Sequence, residues 1–176
     1  MSIRIKVLIP VVLLMTVLSI VLGFTSYEQM KEEMVSMGVE QADMASNVAV
    51  KVVDGELLKK LTVGCEDSAE YNTILEAMSN IRETCGIKFL YTLYTDKTNV
   101  YYGVDTDTSE SKCAYGDEFE FSYDELKDVF EGKDFVQDFI DYTEYGPLIS
   151  VYKPIYDKDN NIVGVVGCDY DAQNVS

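Results

Sequence analysis

Asp169 closes a run of small and apolar residues, "VGVVGCD" (163–169), where a carboxylate has no ordinary reason to sit. A buried carboxylate is costly unless something pairs with it. Alternate side chains of a strand share a face. Leu148, Ser150, Tyr152, Pro154 and Tyr156 therefore share one face of one strand, and Val163, Val165, Gly167 and Asp169 share one face of the next. If residues 158–161 form the turn, Asp157 pairs with Ile162, Ser150 with Asp169 and Tyr152 with Gly167. A phenol and a carboxylate then converge diagonally over a glycine, which leaves room. A turn one residue longer reverses the parity and separates them. The plainer alternative pairs Asp169 with a backbone N–H or a Lys at the strand's end.

Other chemistry is poorly supplied. The chain has no His, which removes the usual general base, most zinc sites and any Ser-His or Cys-His pair. No GxSxG, no phosphate-cradling loop and no singled-out carboxylate pair is present, so no enzyme activity is expected. "DKDNNIVG" (157–164) starts like a calcium loop. Its sixth position is Ile162 rather than Gly and its closing Glu is missing, so it reads as a hairpin turn. "DTDTSE" (105–110) reads as a solvated loop or, at most, a weak cation site. Neither a metal nor a cofactor is expected.

The net charge of −17 argues against nucleic acid and anionic headgroups as partners. Cys65, Cys85, Cys113 and Cys168 form no CxxC. They allow three full disulfide connectivities, which remain open.

The elements that must position Tyr152 and Asp169 are legible in outline. Residues 7–24, "VLIPVVLLMTVLSIVLGF", are uncharged and just long enough to span a bilayer. Arg4 and Lys6 precede them, so residues 1–6 read as a cytoplasmic flank and 25–176 as extracellular. A cleaved signal peptide is the competing reading, but "GFTSYEQM" (23–30) offers no clear cleavage site. Tyr27, Met30, Met34, Met37, Gln41, Met44 and Val48 make a stripe along a long external helix, residues 25–60. Its heptad-like spacing suits a partner helix or the domain's own sheet, so a homodimer is expected.

Residues 65–86 form a second helix, stopped at Gly86. "IKFLYTLY" (87–94) and "NVYYGVD" (99–105) form a hairpin. A short helix follows at 122–132, where Ser122 and Glu125 match a capping box. "DFVQDFIDYT" (134–143) reads as a third strand before the final two. Short links make the sheet antiparallel, giving an α+β domain over 61–171.

The ending resembles the extracellular Cache sensor family. Gly146 to Leu148, Tyr152, Pro154, Ile155, Val165 to Gly167 and Asp169 stand where that family's last two strands carry its typical residues. The likeness extends over 7–171 and is that of the single-module form. It implies a PAS-like five-stranded antiparallel sheet, with the long N-terminal helix running on from a transmembrane helix. It also implies a small-molecule pocket between the sheet and its covering loops. Such domains serve chemotaxis receptors (methyl-accepting proteins), sensor kinases and cyclic-dinucleotide enzymes. Residues 172–176 then read as the lead-in to a second membrane helix, and the chain as the N-terminal part of a longer receptor.

Amino-acid-binding members commonly carry Arg and Trp near the middle strands, and "NVYYGVDTD" (99–107) has neither. Tyr91, Tyr101, Tyr102 and Tyr152, with Asp105 and Asp169, instead suit a cationic or polyhydroxy ligand such as an amine. The expected ligand-binding set is Tyr91, Tyr102, Asp105, Tyr152 and Asp169. A membrane-tethered interaction module without a small ligand is the alternative.

Overall fold

A computed structural model describes residues 3–173 of the chain. Helix α1 runs unbroken from Ile3 to Val52. Its first part, from Leu8 on, is long and apolar enough to cross a membrane and is not buried by any of the described residues. Leu13, Leu14, Ile20 and Phe24 are all exposed. The hydroxyls of Thr16 and Ser19 donate to the carbonyls of Val12 and Met15 one turn back, each at 2.9 Å. The helix thus satisfies these polar groups internally, as hydrocarbon surroundings require.

Beyond the apolar segment α1 lies on the sheet, but along a different line from the methionine stripe. Ala42, Ala45 and Ala49 are fully buried there, while Met30, Met37 and Met44 are exposed. Small side chains let the helix axis approach the sheet, and Gly38 makes the closest approach. A Cβ at Gly38 would lie 2.8 Å from the Tyr170 ring and 2.9 Å from Ile149. Of the stripe, Met34 packs partly against the domain, and the Gln41 side chain donates to the carbonyl of Cys85.

A short turn of helix, α2 (Gly55–Leu58), leads to α3 (Ala69–Cys85). Ser68 caps α3, its hydroxyl accepting from the N–H of Tyr71 at 3.1 Å. Gly86 ends it with φ of +62°, the left-handed stop expected of glycine. Tyr71, Ile74, Met78 and Ile81 turn inward at helical spacing.

Strands β1 (Phe89–Thr95) and β2 (Val100–Asp105) form the first hairpin. Helix α4 (Tyr123–Phe130) follows, with the Glu125 carboxylate accepting from the backbone N–H of Ser122 at 2.8 Å. The third strand foreseen over 134–143 is two short pieces, β3 (Phe135–Val136) and β4 (Asp141–Thr143). Both pair with β5 (Gly146–Tyr156). Between them Gln137 replaces the ladder, its side-chain amide donating to the carbonyls of Phe139 at 2.8 Å and Leu148 at 3.2 Å. The last strand is β6 (Ile162–Asp171).

The antiparallel sheet runs β2-β1-β6-β5-β3, with β4 also on β5, so six strands stand where five were expected. The β5–β6 register pairs Ser150 with Asp169 and Tyr152 with Gly167. A bulge between Ile155 and Tyr156 places Tyr156, rather than Asp157, opposite Ile162. The Asp157 carboxylate instead gathers the turn, accepting from the N–H groups of Asp159 and Asn161 and from Lys59.

One face of the sheet packs on α1 and α3 through Leu90, Val104, Val151, Ile155, Val166 and Cys168. The other carries Tyr91, Leu93, Tyr152 and Val165 under α4 and the 106–121 loop.

Gly167 is where these two layers are most tightly tied. A Cβ there would lie 2.2 Å from Cε2 of Tyr91. Gly167→Ala is expected to lower stability by about 1–3 kcal/mol through this overlap. Thermal unfolding of the variant beside the wild type measures it.

Candidate functional site

The face away from α1 is hollow at its centre. The empty space beneath the 106–121 loop and the β3–β4 segment is about 620 Å³ with the open solvent at its mouth included, so the hollow itself is narrow. Strand alternation supplies its floor. Phe89 and Tyr91 come from β1, Leu148, Ser150 and Tyr152 from β5, and Asp169 from β6. Tyr91, Tyr102, Asp105, Tyr152 and Asp169, the five residues expected to serve a ligand, all line this hollow. Tyr101 does not. It faces the other way, stacks on Tyr94 and donates its hydroxyl to Asp96 at 3.1 Å.

Asp169 is 5% exposed and lies on the same face as Tyr152. Its Oδ1 is buried with no hydrogen-bond partner among the described residues. Burial lifts the carboxyl to about 6. The hydroxyls of Ser150 and Tyr91 pull it down, and the negative charges of Glu120 and Asp105 push it up. Neither the Lys nor the N–H partner weighed as the plainer alternative reaches this oxygen.

The room expected above Gly167 is taken by the ring of Tyr91. Its hydroxyl lies 3.5 Å from that of Tyr152. Burial, and then the charge of Asp169, raise the pKa of both phenols, so each remains a protonated donor or acceptor. Tyr102 stands edge-on to Tyr91, ring centroids 5.4 Å apart. Burial raises its phenol too.

Asp105 is buried but already engaged. Its two oxygens accept from the N–H groups of Asp107 at 2.9 Å and Cys113 at 2.8 Å. Burial raises its carboxyl while these two bonds lower it. As it stands, Asp105 braces the loop that walls the hollow. Asp107 extends the brace, accepting from the N–H groups of Thr108 and Ser109 and lying 4.0 Å from Arg82.

Sequence reasoning missed Gln137, Glu120, Asp141 and Tyr145 in the lining. No local signal marks them, because each arrives on an irregular or short-strand segment. The lining holds five carboxylates, from Asp105, Asp107, Glu120, Asp141 and Asp169, and no Lys or Arg. It therefore offers an anion no opposite charge, and its carboxylates favour a cation. No group of three metal-binding side chains exists among the described residues.

Lys153, next to Tyr152, emerges on the opposite face. It is buried, with Nζ 2.9 Å from Asp43 of α1 and 2.6 Å from Asp134 before β3. Burial works against its charge, and the hydrogen bonds to Asp134 and Asp43 more than restore it.

No family model matches the chain, and no curated protein matches it. Solved structures do. The sensor domain of the V. cholerae histidine kinase DctB aligns with TM-score 0.67 at 10% identity, over 89% of this chain and 58% of that one. The E. coli DcuS sensor domain aligns with TM-score 0.54 at 20% identity, over 79% of this chain and 95% of that one. The ligand-binding domain of the Campylobacter jejuni chemoreceptor Tlp3, in complex with 4-methylisoleucine, aligns at TM-score 0.48 and 14% identity, over 85% of this chain and 60% of that one. The chain thus spans about three-fifths of the Tlp3 and DctB domains. It has the fold of the DctB and DcuS sensor domains, in accord with its Cache-type resemblance.

The Asp169 carboxyl is raised from 3.8 to about 6 in the folded chain. The folded state therefore binds a proton more tightly than the unfolded state. The resulting stability is present below about pH 4 and is lost as pH rises through about 6, a contribution on the order of 3 kcal/mol. Asp169→Asn is expected to flatten this fall and to be more stable than the wild type at pH 7.5. Urea unfolding of both proteins at stepped pH reads the difference.

Proposed function

We propose that this chain is the extracellular small-molecule sensing domain of a membrane receptor of the chemotaxis or sensor-kinase kind. Residues 7–24 would anchor it in the membrane, and binding at the sheet would be passed inward along α1. The observation that carries this reading is Asp169, a buried carboxylate with an unpartnered oxygen facing a hollow. Leaving such an oxygen unmatched costs free energy that a bound donor returns. A tethered module with no ligand has no use for that cost.

A ligand with an ammonium group fits best. The carboxylates supply charge, and the faces of Tyr91, Tyr102 and Tyr152 supply cation–π surface. Tyr152 and Lys153 are adjacent on β5 but serve opposite faces, the first lining the hollow and the second gripping α1 through Asp43. A ligand that prefers one position of β5 thereby prefers one position of α1, which is the differential affinity a signal needs. The exposed row Met30, Met37 and Met44 recurs every seven residues and supports homodimerisation along α1.

Thermal shift of the full chain in detergent micelles, against amines, amino acids, sugars and carboxylates, tests the reading. Amines are expected to raise the melting temperature, and Asp169→Ala to remove the effect. Stabilisation by carboxylates alone, or an unchanged response in Asp169→Ala, counts against it.

Hydrogen exchange tests the route to the helix. An amine ligand is expected to change protection over residues 38–52 in the wild type. In Lys153→Met that change is expected to vanish while binding persists. A response of equal size in both proteins would exclude Lys153 from the route.

A further inference from the structure

The hollow has a second acidic pole at its mouth. Glu120 and Asp141 both line it and both are exposed, unlike Asp169 on the floor. They come from opposite banks, Glu120 from the segment after β2 and Asp141 from β4. Burial raises the Glu120 carboxyl, and the charges of Glu144 and Asp141 beside it raise it further. None of these three acids forms a salt bridge among the described residues.

The nearby cations form no salt bridge with Asp169, Glu120 or Asp141 among the described residues. Lys88 donates to the Tyr145 carbonyl at 2.8 Å and lies 3.4 Å from Asp171. Arg82 faces Asp107. Lys112 is exposed on the outer loop, where its charge acts on Asp105.

Floor and rim are therefore both acidic, and neither has a salt-bridge partner among the described residues. The lining also carries the aromatic side chains of Tyr102, Phe121 and Tyr145. A metal ion would need ligands converging on one point, and no such group exists among the described residues. A single ammonium on Asp169 would leave the rim acids facing each other uncompensated. A flexible chain with a charge at each end matches two acidic poles in a lining that also carries aromatic side chains.

Resting on the cation-binding reading above, we infer that the hollow selects an aliphatic diammonium compound, with one end on Asp169 and the other at Glu120 and Asp141. The methylenes lie along the aromatic side chains. Monoamines engage the floor alone.

Calorimetry on the full chain in detergent micelles at pH 7.5, with 1,4-diaminobutane, butylamine and succinate as probes, tests this. The diamine is expected to bind more tightly than butylamine by about threefold to tenfold, the range that two exposed charge pairs supply. The double variant Glu120→Gln, Asp141→Asn is expected to bring the two amines within about twofold of each other, the diamine losing more affinity than butylamine. Its substitutions are on exposed side chains, and an unaltered melting curve confirms the fold. Asp169→Asn is expected to abolish binding of both amines. Equal affinity for the two amines in the wild type, or a preference that survives the double variant, overturns the diammonium inference and leaves the ammonium reading standing. Failure of both amines to bind, with or without heat from succinate, overturns both.

Discussion

The pairing of β5 with β6 is the constraint on which everything else rests. With Ser150 opposite Asp169, the side chains Tyr152 and Asp169 point into the hollow, and Val151, Lys153, Val166 and Cys168 point toward α1 and α3. A slip of one residue in either strand would exchange that strand's two sets. A charged Lys153 would then enter the acidic hollow, and Asp169 would be pressed into the helix-packed core. Each error is expensive, because a buried charge without its partner is among the least tolerated features of an interior. The register is held by the burial of both faces as much as by its ladder of hydrogen bonds.

That pairing also explains why the hollow is electrostatically one-sided. The chain places its Lys and Arg outside the lining, and Arg82 and Lys88, which approach it, are each paired with an acid. Arg82 turns to Asp107, and Lys88 turns to Asp171. Backbone amides neutralise Asp105 from within the loop. Asp169 keeps a buried oxygen, Oδ1, with no hydrogen-bond partner among the described residues. Such a group is a liability to the empty domain and an asset to the occupied one. Strain of this kind is tolerated in folded proteins chiefly where a partner relieves it.

Much of this was legible in the chain before any coordinates. The alternation of 148–156 and 162–169, with a short polar turn between them, set the parity that joins Tyr152 to Asp169. The bulge at Ile155 altered only the turn end, because its extra residue was absorbed beyond the site. Local signals at Gly86 and Ser122 marked helix ends correctly, since caps depend on neighbours in sequence, while the helix expected from Cys65 begins only after the Ser68 cap. The split of 134–143 was not legible, because a side chain, Gln137, takes over hydrogen bonds that a backbone strand would have made. Nor was the line by which α1 meets the sheet. The conspicuous methionines drew attention from the small residues Gly38, Ala42, Ala45 and Ala49 between them. Glu120 and Asp141 escaped notice for a topological reason. They are two among 31 acids, and only the course of two irregular segments makes them neighbours.

The small-residue line has a mechanical meaning. Helices that interlock through large side chains resist relative sliding, since each knob must climb out of its hole. Gly38, Ala42, Ala45 and Ala49 give α1 a nearly smooth underside against the sheet. A shift of α1 along its axis would cost least at Ala42, Ala45 and Ala49 and most where Met34, Val35 and Val39 pack on Ile149 and Tyr170. The clasp of Lys153 on Asp43 would then act as the detent that selects where the helix comes to rest.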